Sequence, residues 1–285
     1  MVEQTLVIHE ALKTDKVVVQ IREHLWTEPY QGTFHRFDHW FLDLSLTERP
    51  GAARGRYLDH WGERRHEPIG DVLFVPHTLE FHGSCGAGRQ TSLSLLLSRD
   101  VFQLQTDDLD EAKLAEGLHI RDPRIRRALW RLAAEVRARR IESPARIEGQ
   151  ALALAEMVEE HLAGVSADEA PKRGGLSPAR RRLIEARIRA EAPPPGIGEL
   201  ALLCGLSERH LARAFHEETG QSLGGYVAVA TLQRAWRMLL HTGASISEIA
   251  ADLGYFSSAS FAAAFRRSTG ARPNDVRRPG SWAHA

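Results

Sequence analysis

Residues 197–220 read "IGELALLCGLSERHLARAFHEETG", and residues 246–270 read "ISEIAADLGYFSSASFAAAFRRSTG". Laid side by side, Ile197 meets Ile246, Glu199 meets Glu248, Ala201 meets Ala250 and Gly205 meets Gly254, an offset of 49 residues. One extra residue then enters the second copy, and Phe215, Thr219 and Gly220 meet Phe265, Thr269 and Gly270 at an offset of 50. A repeat this dense marks one local structure used twice. In each copy a short helix carries a small residue, Ala201 or Ala250, where a bulkier side chain would push its neighbour away. A glycine four residues on permits the left-handed conformation that ends a helix. A serine, Ser207 or else Ser257 or Ser258, then caps a second helix. That helix is anchored by an i,i+4 apolar pair, Leu211 with Phe215 or Phe261 with Phe265. The spacing predicts two helix-turn-helix units.

Between the copies, "YVAVATLQRAWRMLLHTG" (226–243) sets Val229, Leu232, Trp236 and Leu239 on one stripe of a long connecting helix. Ahead of them, "SPARRRLIEARIRAE" (177–191) opens with a serine cap and a proline at the first helical position. Its Arg180, Arg181 and Arg182 form a solvated basic face or add attraction for phosphate.

With these residues in place, residues 176–278 resemble the DNA-binding domain of the AraC/XylS-type transcription regulators, two helix-turn-helix units joined by a helix. The second copy is similar to that family's signature: in "IAADLGYFSSASFAAAFRRSTGARPNDVR" (249–277), Gly254, Phe261, Phe265, Gly270 and Pro273 stand where the family has them. Thr231, where many relatives carry Arg, and Val276, where Tyr is common, depart from it. The resemblance implies a sequence-specific regulator rather than an enzyme, with double-stranded DNA as partner and no cofactor. It also implies a cupin-like sensor domain and dimerising helices ahead of the DNA-binding domain, hence a small-molecule effector, a homodimer and RNA polymerase as a further candidate partner.

In a helix-turn-helix the second helix enters the major groove and its exposed side chains reach base edges. Setting aside Leu211, Ala214 and Phe215 as buried, the first copy presents Glu208, Arg209, His210, Ala212, Arg213 and His216, of which Arg209, His210, Arg213 and His216 are the candidates for contact with DNA. Arg213 is the first candidate for direct readout, because a guanidinium grips a guanine edge with two hydrogen bonds. Arg209 reads bases, meets phosphate or is merely solvated. In the second copy Ala263 stands where Arg213 stands in the first. Ser257, Ser258 and Ser260 remain to bond phosphates or bases, with Arg266 and Arg267 placed for backbone contacts. The second copy is therefore expected to anchor while the first discriminates.

Working outward, the front of the chain has a different pattern. In "HWFLDLSL" (39–46), Trp40, Leu42, Leu44 and Leu46 alternate with Asp43 and Ser45, and "SLSLLLS" (92–98) alternates likewise. "VVVQI" (17–21) and "DVLFVP" (71–76) are further apolar runs closed by turn residues. Period-two patterning over residues 16–98 predicts a small antiparallel barrel or sandwich. After Asp122-Pro123, Ile125, Leu129, Leu132 and Val136 recur at helical spacing, and a second helix sets Ile147, Ala151, Leu154, Val158 and Leu162 on one stripe. The expected fold is α+β and multidomain. A cupin-like antiparallel β-barrel spans 1–106, paired helices 107–165, a linker 166–175 and the all-α double helix-turn-helix domain 176–285.

Trp26, Trp40, Trp61 and Phe74 line a ligand pocket in the barrel or simply fill its core. His77 and His82, with His60, His66, Glu67 and Glu80 nearby, are scattered histidines or the ligands of a metal enzyme or metal sensor; their spacing matches no strong motif, and no metal site is expected. Cys85 and Cys204 lie far apart, without a thiolate zinc pattern, which suits a reducing cytoplasm. A redox sensor is the rival reading for either thiol. No run of about 18 apolar residues predicts a membrane span. The net charge of 0 conceals an asymmetry: residues 1–165 carry 21 Lys and Arg against 26 Asp and Glu, residues 176–279 carry 14 against 9. A basic back half suits a polyanionic partner.

Overall fold

The computed structural model describes residues 4–34, 39–138, 144–165, 176–190 and 193–277. The chain divides into two compact units: Met1–Ala167 together with Arg266–Ala285, and Asp168–Phe265. The expected linker at 166–175 lies outside the described residues.

In the first unit nine strands are described: β1 (Gln4–Lys13), β2 (Val17–Trp26), β3 (Tyr30–Phe34), β4 (His39–Ser45), β5 (Arg54–Tyr57), β6 (Glu67–Pro68), β7 (Val72–Val75), β8 (Phe81–Cys85) and β9 (Gly88–Ser98). A five-stranded sheet has the order β1-β2-β9-β4-β7, and a four-stranded sheet the order β3-β8-β5-β6. Every pairing is antiparallel. The antiparallel region is as expected, although among the described residues no ladder joins the two sheets into a closed barrel.

Register makes two rows across the larger sheet. Val19, Leu95, Leu42 and Phe74 stand opposite one another on one face; Gln20, Ser94, Asp43 and Leu73 do so on the other. The second row ends in Leu73 but holds buried polar groups at its centre: Asp43 is 3% exposed and Ser94 1%. A buried carboxylate needs compensating partners. Ser94 Oγ donates to Asp43 Oδ1 at 2.6 Å and Arg49 Nη2 to its Oδ2 at 3.0 Å, with Arg22 Nη2 3.7 Å from Oδ1. Burial by itself would raise the Asp43 carboxyl, but the two guanidinium groups and the serine hydroxyls hold it below its ordinary value. Beside them, burial and then the Arg22 charge push His24 down to about 4.

Helices cover the apolar row. Asp110 caps α1 (Glu111–Gly117), a helix the sequence pattern did not announce. Asp122 caps α2 (Pro123–Arg137) by accepting from Arg124 N, with proline in the first turn as expected. On α3 (Pro144–Ala163) the whole expected stripe is buried, as is that of α2. Gln150 Nε2 on α3 donates to Glu135 Oε2 on α2 at 2.9 Å. Both helices lie against β2, and α2 also against β4, so their apolar stripes are covered by the sheet.

The second unit is helical: α4 (Pro178–Arg189), α5 (Ile197–Cys204), α6 (Glu208–Thr219), α7 (Leu223–His241), α8 (Ile246–Asp252) and most of α9 (Ser258–Thr269), which α10 (Pro273–Arg277) follows. Leu176, Ile184, Leu200, Ala201, Cys204, Leu211, Ala214, Phe215 and Leu223 form one core. Trp236, Ile249, Ala250, Phe261 and Phe265 are buried further along, with the Trp236 and Phe265 rings 6.2 Å apart. The buried side of α7 differs from the expected stripe. Val229 and Leu232 are only half-buried, whereas Gln233, Ala235, Trp236, Met238 and Leu239 are buried. A helix of 19 residues that packs on one core at its start and another at its end need not keep a single apolar seam.

Asp43→Ala removes the buried carboxylate that two largely covered guanidinium groups share and is expected to destabilise the chain by about 3–5 kcal/mol, read as a lowered denaturation midpoint in tryptophan fluorescence. His24 stays neutral in the fold, whereas the unfolded side chain takes a proton below its ordinary 6.5. Its contribution is therefore complete above that pH and is lost as pH falls toward 4. His24→Gln should flatten this part of the stability–pH profile.

Candidate functional site

The two copies of the repeat have nearly the same backbone wiring. Gly205 has φ 62° and Gly254 φ 73°, the left-handed conformation expected of both. Gly205 N donates to Leu202 O at 3.1 Å and Leu206 N to Ala201 O at 3.0 Å. In the second copy Gly254 N donates to Ala251 O at 2.9 Å and Tyr255 N to Ala250 O at 2.8 Å. Leu206 and Tyr255 are thus equivalent, and both tuck toward the core. The next residue in the first copy is the helix cap, Ser207, whose side chain accepts from His210 N. In the second copy Phe256 intervenes before the cap, Ser257, so the extra residue of the repeat is Phe256. The copies close alike as well: Thr219 Oγ1 accepts from Gln221 N at 3.4 Å, and Thr269 Oγ1 from Ala271 N at 3.3 Å.

On α6 the apolar side faces in, with Leu211, Ala214 and Phe215 buried. Arg209, His210, Arg213 and His216 are all exposed. The structure therefore brings the four candidates onto the solvent side of one helix. Arg213 Nε lies 3.7 Å from Glu217 Oε1, with the two side chains 70% and 40% exposed. Such an exposed pair holds the guanidinium weakly and leaves it available. Behind α6, Arg180 Nε donates to Cys204 O at 2.9 Å, a cation satisfying the end of α5. This occupies one of the three arginines first read as a phosphate or solvent face. Arg181 in turn pairs with Glu185 at 2.9 Å.

The candidates of the second copy are arranged differently. Ser257 Oγ accepts from Ser260 N at 3.1 Å, Ser260 Oγ accepts from Ser257 N at 3.2 Å, and Ser260 Oγ donates to Ser257 O at 2.7 Å. These hydroxyls build a reciprocal cap. Ser258 begins the helix half-buried, Ala259 and Ala263 are exposed along it, and Arg266 and Arg267 are exposed in its last turn. The residue the sequence reading passed over is Phe256, at 102% the most exposed large apolar side chain described. The extra position was visible in the alignment; its exposure was not.

Of the front-half candidates, Trp40, Phe74 and His77 come together, whereas Trp26, Trp61 and His82 lie apart from them. Trp40 stacks on Phe74 at 5.5 Å and meets His77 edge-on at 4.4 Å, on the helix-covered side of the larger sheet. By strand alternation Trp26 lies on its opposite side, stacked on His24 at 5.0 Å. Trp61 packs on Tyr57, and His82 lies 3.4 Å from Thr33 Oγ1 in the smaller sheet. Among the described residues no three His, Cys, Asp or Glu side chains gather as metal ligands. Burial pushes both the Cys85 and the Cys204 thiols up, away from the thiolate a redox sensor uses. No helix among the described residues is long and apolar enough to cross a membrane.

A family model described as a helix-turn-helix domain matches residues 200–279. The regulatory protein SoxS of Escherichia coli (strain K12) is 38% identical over 84 residues, 30% of this chain and 78% of that protein. The HTH-type transcriptional activator RhaR of Cronobacter sakazakii is 25% identical over 256 residues, 85% of this chain and 86% of that one. The HTH-type transcriptional regulator Rv1931c of Mycobacterium tuberculosis is 30% identical over 114 residues, 35% of this chain and 44% of that protein. The chain thus spans less than half the length of the last of these relatives.

Ser257→Ala is expected to lower thermal stability by about 1 kcal/mol with no DNA present, because it removes a helix cap. An unchanged melting curve would contradict the capping role.

Proposed function

Because the chain belongs to the AraC/XylS family of transcription regulators, we propose that it is a sequence-specific regulator acting on double-stranded DNA. The observation that carries this reading is the α6 surface, where Arg209, His210, Arg213 and His216 are exposed over a buried Leu211 and Phe215. A helix so divided can lie in the major groove without unpacking its domain. Residues 176–285 form the DNA-binding domain. Hydrogen-bond readout is concentrated in the first copy, since α9 offers alanines and self-bonded serines where α6 offers arginine and histidine. Arg266 and Arg267 hold phosphates. Residues 1–106 act as a cupin-like sensor barrel for a small molecule, and the paired helices of 107–165 support a homodimer that places two such domains on paired half-sites. RNA polymerase is the partner a regulator bound beside a promoter meets, and the site of action is the cytoplasm.

The test is selection of binding sites from random duplex DNA by the full chain, at stated salt. Arg213→Ala should cost about 1–3 kcal/mol and relax preference at one base pair. Arg266→Ala should weaken all duplexes alike and reduce the slope of log affinity against log salt by about 1. Failure to enrich any sequence, with and without a library of small molecules, would sink the reading.

A further inference from the structure

Phe256 is the residue by which the second copy exceeds the first, and it stands wholly in water. Its neighbour Tyr255 already fills the inward position, with its ring 5.4 Å from Phe261. Nothing in the packing of the turn therefore requires an aromatic side chain at 256. A ring so exposed is free to pack on an apolar group of a partner, and that burial is favourable.

Its location argues for what that partner is. Phe256 immediately precedes Ser257, the cap of α9, so it sits at the N-terminal end of the second helix of a helix-turn-helix. That end approaches base edges, whereas the far end of α9, with Arg266 and Arg267, is placed for the backbone. Apart from the capping Ser260, the next exposed positions along the helix, Ala259 and Ala263, carry only methyl groups. Small side chains let the helix lie close, and they offer no hydrogen bond to any base. The Ser257 and Ser260 hydroxyls are each bonded to the backbone of the other residue, and Ser258 is half-buried. Beside the capping serines and Ser258, this end presents an apolar surface, a ring and two methyls. The major groove presents one apolar group, the C5-methyl of thymine.

We infer that Phe256 is a specificity-determining residue that packs on thymine methyl groups, so that the second copy selects thymine by apolar contact rather than by hydrogen bonding. This rests on the DNA-binding reading above and deepens it. The second copy then anchors and also discriminates, with a preference independent of charge.

The experiment uses the full chain and its selected duplex, with single thymines replaced in turn by deoxyuridine. That exchange keeps every hydrogen bond of the base pair and removes only the methyl. Wild type should lose affinity about fourfold at one or two thymines in the patch assigned to the second copy, the effect expected of one methyl group. Phe256→Ala should bind the thymine duplex more weakly and become indifferent to deoxyuridine at those positions, while thymines in the first copy's patch respond as in wild type. Phe256→Leu should restore part of the sensitivity. An exposed ring is not needed for folding, so an unchanged melting curve accompanies these variants. Indifference of wild type to deoxyuridine throughout that patch overturns the inference, as does equal sensitivity in Phe256→Ala. Unchanged DNA binding by Phe256→Ala with lost transcription in a reconstituted assay overturns it too, and assigns the ring to a protein partner. A chain that enriches no duplex at all removes the DNA-binding reading itself, an outcome distinct from binding that ignores the methyl.

Discussion

Two left-handed residues, Gly205 and Gly254, direct the helices that follow them. At φ near +60° to +70° the chain reverses over two hydrogen bonds, and the following helix starts with its apolar pair turned inward. A side chain at either glycine would strain the backbone even where space is free, as it is around Gly205. With the turn held, Leu211 and Phe215, or Phe261 and Phe265, enter the core and pin the rotation of the helix about its axis. Every exposed residue on α6 and α9 inherits its direction from that rotation. The functional surface is thus a consequence of what is buried beneath it.

The first unit depends on a different balance. The central strands β9 and β4 of its larger sheet are buried on both faces, and the second face carries a buried polar cluster. Asp43 is tolerable there because Arg22, Arg49 and Ser94 converge on it. A network of this kind rigidifies a sheet when complete and is costly when any member is removed.

Much of the second unit was legible because its signals are local. The small residue, the glycine and the cap serine sit within seven residues of one another in the first copy, and each acts through its own backbone. The stripes of α2 and α3 were legible for the same reason. Alternation in β4 correctly separated Leu42 from Asp43, but period-two patterning says which residues share a face, not whether water or a second sheet lies beyond it. The short helix α1 offers too few turns for periodicity to register. The inward side of α7 escaped because two cores share that helix. As for Trp26, Trp40, Trp61, Phe74, His77 and His82, their grouping depended on strand register and sheet order, which nearest neighbours in sequence do not encode. Phe256 was visible only as a register slip in the repeat; exposure is a property of the surroundings.

The reciprocal cap between Ser257 and Ser260 has one more consequence. A helix end whose first turn is bonded to itself is already ordered in the free protein, so docking need not freeze it. The conformational entropy of that turn, on the order of 1–2 kcal/mol per backbone residue, is lost during folding rather than during association. The serines thereby order the start of α9 before anything binds, and with it the backbone that carries Phe256.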